Sequence, residues 1–104
     1  HLRQPYKQRF LVRFGDHLQY KTTQEIAYFY ADDKTVFLVA DDGKRYVIDL
    51  RMEQLEDLLD PALFFRINRK FITRIDAIQR MKSLINSRLQ LFLKPQPEID
   101  VYVS

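Results

Sequence analysis

The chain has 104 residues, 46% of them hydrophobic and 30% charged, the make-up of one folded domain with a modest core rather than a disordered tail. It contains no cysteine, which excludes disulfide staples, thiolate catalysis and Cys-based zinc sites. The net charge of +3 points mildly to a polyanionic partner, with simple solubility as the bland alternative.

Eight Phe and six Tyr against only two Gly favour strands, where aromatic side chains fit a pleated, half-buried surface. No apolar run approaches the roughly 18 residues of a membrane span, and the first ten residues are too polar for a signal peptide. The expectation is a soluble, cytoplasmic domain with no membrane contact. Because it begins with His1 rather than Met, it reads as a piece of a longer chain.

Residues 10–14 (FLVRF) read as a strand, Gly15 and Asp16 as a turn, and residues 18–22 as the hairpin partner. Residues 26–30 (IAYFY) form a third strand, and residues 31–34 a polar break. Residues 35–39 and 45–48 are two further strands joined across Asp42 and Gly43, the strongest hairpin signal in the chain. Any of residues 41–44 can lie outside that ladder.

One short helix follows. Met52, Leu55, Leu58 and Leu59 make a single apolar stripe, with Glu53, Glu56 and Asp57 on the opposite face near the positive helix N-terminus. Pro61 ends the segment, because the residue before a proline is pushed out of the helical region. A helix this short is held only by packing on the sheet.

Strand texture returns at residues 64–67 (FFRI), breaks at residues 68–70 (NRK), and resumes at residues 71–73. Residues 75–81 are ambiguous by pattern, but a break at residues 82–88 before residues 89–93 (LQLFL) argues for another hairpin. Pro95 and Pro97 mark a loop, and residues 99–103 are a final strand. The two halves echo each other in element order, with Ile78 standing in the second where Ile26 stands in the first. The fold class expected is all-β with one short helix, an elongated stack of small antiparallel sheets built from two similar β-halves.

For catalysis the inventory is poor. His1 and His17 are the only histidines, and His17 reads as a turn residue, where a solvated role outweighs a general base. Asp32 with Asp33, and Asp41 with Asp42, are carboxylate pairs that can bind cations, but neither has a third ligand at loop spacing, so loop solvation is the better reading. No glycine-rich phosphate loop, nucleophile elbow or metal-binding histidine spacing occurs. The chain reads as a non-enzyme without cofactor or metal.

Charge is segregated along the chain. Residues 32–65 hold nine acids and four bases, whereas residues 66–94 hold eight bases and one acid, Asp76. The bases gather in the breaks between strands: Arg69 and Lys70 beside Asn68, Lys82 and Arg88 in the later break, and Lys34 in the matching break of the first half. Arg and Lys contact phosphates, while Arg and Asn also read base edges in the major groove. On that basis Lys34, Lys70 and Lys82 are candidate phosphate clamps, and Asn68, Arg69 and Arg88 candidate base readers. The sheet-facing Arg66 and Arg80 are candidates for positioning.

The segment from Phe64 through Arg66, Asn68, Arg69 and Phe71 to Ile72, followed by Ile78, resembles the signature of the LytTR DNA-binding family. Residues 26–32 (IAYFYAD), residues 42–46 (DGKRY) and the acidic, Leu-rich helix are similar to other stretches of that family and fall in the same order. The resemblance covers nearly the whole chain from Phe10 to Ser104. It implies three small antiparallel sheets with a short helix, inserting loops rather than a recognition helix into successive major grooves.

The function implied is sequence-specific binding of double-stranded promoter DNA, commonly at paired direct repeats, as the output domain of a two-component response regulator. The implied partners are a receiver domain in the full-length protein, a sensor histidine kinase acting on that receiver, and a second copy in a homodimer on DNA. Residue by residue, Lys34 and Thr35 match one contact loop, Asn68, Arg69 and Lys70 a second, and Arg88 a third. Residues 1–9 would be an interdomain linker remnant and residues 10–104 the domain. Members commonly carry a basic residue directly after the last strand, whereas here Val103 and Ser104 close the sequence, which implies C-terminal truncation. Asn68 replaces the commoner His, and Arg74 stands where Asn is usual. The alternative reading is a protein-interaction module that uses the acidic half, residues 32–60, or an exposed strand edge.

Overall fold

The computed structural model describes residues 6–104. Ten strands and one α-helix follow in order: β1 (Arg9–Phe14), β2 (His17–Thr22), β3 (Ile26–Asp32), β4 (Thr35–Ala40), β5 (Arg45–Ile48), α1 (Met52–Leu58), β6 (Phe64–Arg66), β7 (Phe71–Arg74), β8 (Ile78–Ser83), β9 (Leu89–Leu93) and β10 (Val101–Tyr102). All strand pairs are antiparallel. They join in two sheets, one of seven strands in the order β2-β1-β5-β4-β3-β7-β6 and one of three in the order β10-β9-β8.

The family resemblance implied three sheets; here there are two, the larger joining the units β2-β1, β5-β4-β3 and β7-β6 edge to edge. The seams are short: β1 meets β5 through two residue pairs, and β3 meets β7 through three. The body is a slab of 42 × 40 × 24 Å. Its layers follow from strand alternation, which sends successive side chains to opposite faces. Phe10, Val12, Phe29, Val36, Leu38, Tyr46, Ile48 and Ile72 face one way and bury Met52 and Leu55 of α1 together with Leu59 just past its end. Tyr28, Val39 and Phe71 face the other way and meet Leu91, Leu93 and Val101 of the small sheet.

The helix stripe forms as its spacing predicts, with Met52, Leu55 and Leu59 buried and Leu58 half-buried at its edge. The Gln54 side-chain carbonyl accepts the Arg51 backbone N–H at 2.9 Å, satisfying a donor ahead of the first turn. The helix stops at Leu58, because Leu59 already has extended backbone (ψ 144°). The Pro61 constraint reaches only Asp60, so the helix ends earlier than the proline requires.

The duplication is visible in hydrogen bonding. Ile26 opposes Ala40 and Tyr28 opposes Val39, with a bulge between; Ile78 opposes Leu93 and Arg80 opposes Phe92, with a bulge at the same place. Beyond the bulges, the Asp41 N–H donates to the Glu25 carbonyl as the Lys94 N–H does to the Ala77 carbonyl, both at 2.9 Å. The first bulge turns both Ala27 and Tyr28 towards the small sheet.

Several boundaries differ from the sequence reading. His17 opens β2 rather than sitting in the turn, since the ladder reaches Phe14 opposite His17. Lys82 lies within β8, opposite Gln90, because pairing continues to Ser83 opposite Leu89. The last strand shrinks to Val101 and Tyr102, opposite Leu91 and Gln90, with one further bond from the Val103 N–H to the Leu89 carbonyl at 2.9 Å. The expected linker, residues 1–9, falls partly outside the described residues, and His1 wholly so; of the rest, the Lys7 N–H donates to the Leu58 carbonyl at 2.9 Å.

Candidate nucleic-acid interface

Sheet register brings three connections together. β3 turns into β4 through Asp33 and Lys34, with Asp33 in the left-handed region (φ 58°), where Asp is among the few side chains tolerated. Lys34 is exposed at this turn, and Thr35 is half-buried opposite Asp32. Because β3 also pairs with β7, Tyr30 opposes Phe71, and the Ala31 N–H donates to the Lys70 carbonyl at 2.9 Å. The loop of residues 68–70 therefore lies beside the Lys34 turn.

The third connection reaches the same loop through Tyr102. The Arg88 guanidinium covers the Tyr102 ring at 4.3 Å, and the Tyr102 carbonyl accepts the Asn68 Nδ2–H at 2.7 Å. Next to it, the Ser104 N–H donates to the Ile67 carbonyl at 3.2 Å. Lys82 is exposed on β8, one pair from the end of that hairpin.

Within this cluster the side chains divide into two kinds. Asn68 and Arg66 are committed to the protein. Asn68 Oδ1 accepts the N–H groups of Lys70 and Phe71 at 2.8 and 3.0 Å, while its Nδ2 holds Tyr102. Arg66 donates from Nε to the Asn68 carbonyl and from Nη2 to the Arg69 carbonyl, both at 2.9 Å. Its Nη1 meets Glu56 Oε1 at 3.0 Å, which ties the loop to α1 and leaves the Arg66 side chain only 20% exposed.

Lys34, Arg69, Lys70, Lys82 and Arg88 are exposed instead. Among the described residues the ion pairs engage His17, Arg66 and Arg74, and none of these five cations has an acidic partner within 4.0 Å. Four unpaired cations on three adjoining connections, with Lys82 near the end of β8, make a surface suited to a polyanion.

Arg74 and Arg80 take other positions. The Arg74 Nη1 donates to the Thr23 carbonyl and its Nη2 lies 3.8 Å from Asp76, pinning β7 to the β2–β3 connection. Arg80 is exposed, with its guanidinium 3.8 Å from the centre of the Phe92 ring. Tyr102, the residue that joins two of the three connections, was not among the expected site residues. Its one sequence signal is alternation, which sets it on the face opposite Val101 and Val103.

A family model described as the LytTr DNA-binding domain matches residues 18–104. A solved structure titled the LytTr DNA-binding domain of a putative methyl-accepting/DNA response regulator from Bacillus cereus superposes with a TM-score of 0.83. It is 21% identical, and the match covers 94% of this chain and 87% of that one, a likeness of fold. Comparison with curated proteins gives no match. With the family's fold over the whole slab and its sequence model over all three connections, the chain belongs to the LytTR family of DNA-binding domains.

Proposed function

We propose that this domain reads promoter DNA with sequence specificity, laying its inter-strand loops in the major groove as the output module of a two-component transcription regulator. The observation that carries the proposal is the gathering of Lys34, Arg69, Lys70 and Arg88 on adjoining connections, with Lys82 near the end of β8, all without an acidic partner. Arg69 and Arg88 approach bases; Lys34, Lys70 and Lys82 hold phosphates; Thr35 lies against the duplex beside Lys34. Asn68 and Arg66 shape the loop that presents Arg69 and Lys70. No catalytic step belongs to this reading.

In the full protein the domain follows a receiver domain phosphorylated by a sensor kinase in the cytoplasm, and two copies occupy direct repeats on DNA. Among the described residues no helix is long and apolar enough to cross a membrane.

The test is fluorescence anisotropy with a duplex selected from a random library by the wild-type domain and with an unselected duplex, across about 50 to 200 mM salt. Arg69→Ala is expected to cost about 1–3 kcal/mol on the selected duplex and little on the other, as loss of a base contact does. Lys70→Ala is expected to weaken both alike and to reduce the salt slope by about one unit. A uniform loss from Arg69→Ala would remove it from base reading, and failure of the wild type to prefer its selected duplex would sink the proposal.

The second reading, a protein-docking module, has one supporting observation. β2 is an edge strand, and Leu11, Leu18 and Tyr20 of the β1–β2 hairpin are 48%, 65% and 60% exposed. A partner held there is insensitive to charge reversal at Arg69 and Lys70, which separates the two readings.

A further inference from the structure

A second cationic groove adjoins the Lys34 turn. It holds about 480 Å³ where β1, β4 and β5 meet the start of α1, and its polar walls are Arg13, Lys34, Thr35, Asp49, Arg51 and Gln54. Strand register builds it. Arg13 on β1 opposes Val47 on β5, and Val47 opposes Phe37 on β4, so Arg13 stands on the same face as Thr35, two residues before Phe37. Arg51 enters from the β5–α1 connection. Both arginines are exposed, and among the described residues neither they nor Lys34 forms an ion pair.

Its place in the duplicated fold is informative. In the first half, β1 runs beside β5, which pairs with β4 near the Lys34 turn. In the second half, β6 follows the helix and leads into Ile67, whose carbonyl accepts the Ser104 N–H beside β10, and β10 pairs with β9 just past Arg88. The bulged hairpins β3–β4 and β8–β9 set the two halves in the same register, so Thr35 corresponds to Arg88. The Arg13 groove is thus the first-half counterpart of the surface formed by residues 68–70, Tyr102 and Arg88. Lys34 belongs to both the groove and the cluster of connections, which makes the two cationic surfaces continuous.

We propose that this groove is a second DNA-backbone contact, in which Arg13 and Arg51 bind phosphates next to the one held by Lys34. The proposal rests on the DNA-binding reading and extends its footprint across β1 and the β5–α1 connection. Its cations sit on strand and connector positions that face no base-reading loop, so they add affinity without sequence preference.

The experiment compares Arg13→Ala, Arg51→Ala and the double variant with Arg9→Ala, using the selected and unselected duplexes over the same salt series. Arg9 removes an equal charge from β1, but it lies over the Tyr20 ring at 5.9 Å and does not line the groove. Each groove variant is expected to weaken both duplexes by the same factor of a few-fold, lowering the salt slope by about one unit apiece, while Arg9→Ala stays near wild type. Arg13→Lys is expected to retain most of the affinity, which separates a charge contact from a folding defect. If Arg13→Ala and Arg51→Ala match wild type while Lys70→Ala weakens binding, the groove proposal fails and the DNA-binding reading stands. An Arg9→Ala loss equal to that of Arg13→Ala would likewise overturn the groove in favour of net charge. Absence of wild-type binding to either duplex overturns both.

Discussion

Asn68 shows how one side chain organises the loop of residues 68–70 through its own amide. Its amide accepts two backbone N–H groups of its own loop and donates to the Tyr102 carbonyl, 34 residues away in sequence. Asn68→Ala removes all three bonds and leaves polar groups to find water, so it is expected to destabilise the fold by about 1–3 kcal/mol. The urea midpoint checks this, and DNA affinity is expected to fall on selected and unselected duplexes together. Tyr28 carries a different signature. Burial pushes its phenol up to about 12, with Tyr30 and Glu98 adding to the effect. An unfolded tyrosine titrates near 10, so the folded state holds this proton more tightly. The resulting stability is complete below pH about 10 and disappears as pH rises towards 12, a loss of about 1–2 kcal/mol. Tyr28→Phe is expected to flatten that part of the stability–pH curve; an unchanged slope would show that the phenol does not carry it.

At the scale of elements, α1 acts as a strut as well as a cover. Leu55 is fully buried against the large sheet, while Glu56 on the opposite face grips Arg66, whose other nitrogens hold the carbonyls of the 68–70 loop. Leu55→Ala is expected to cost about 2–5 kcal/mol by transfer and cavity terms, read from thermal or urea unfolding. The apolar stripe and acidic face of this helix are legible in the sequence because 3.6-residue periodicity is local. So is the turn at Asp42 and Gly43: residues 41–44 do lie outside the ladder, Asp42 Oδ1 accepts the Lys44 N–H at 2.9 Å, and Gly43 takes φ 88°. The grip of Glu56 on Arg66 is not legible, because it depends on how β6 docks against the helix rather than on any spacing within either.

For the molecule as a whole, the net charge of +3 understates the cationic surface, since Glu53 and Glu56 are engaged by Arg66 while the five exposed cations have no acid within 4.0 Å. If five exposed cations each displace one counterion, raising salt from 50 to 200 mM is expected to weaken DNA binding by about 10²–10³-fold while unfolding midpoints change little. A nearly flat salt series would remove the phosphate contacts from the proposal. By itself the sequence determined the fold class, the single helix, the hairpin turns, the echo of Ile26 in Ile78 and the exposure of Arg69, Lys70 and Arg88. All of these follow from periodicity, turn chemistry and charge within a few residues. Only the tertiary structure decided that hairpin units merge into one seven-stranded sheet, that Asn68 and Arg66 turn to backbone carbonyls, that Arg74 reaches Thr23, and that Arg13 shares a groove with Lys34 and Arg51. Those outcomes depend on strand register between segments tens of residues apart, where a shift of one residue sends every side chain to the opposite face.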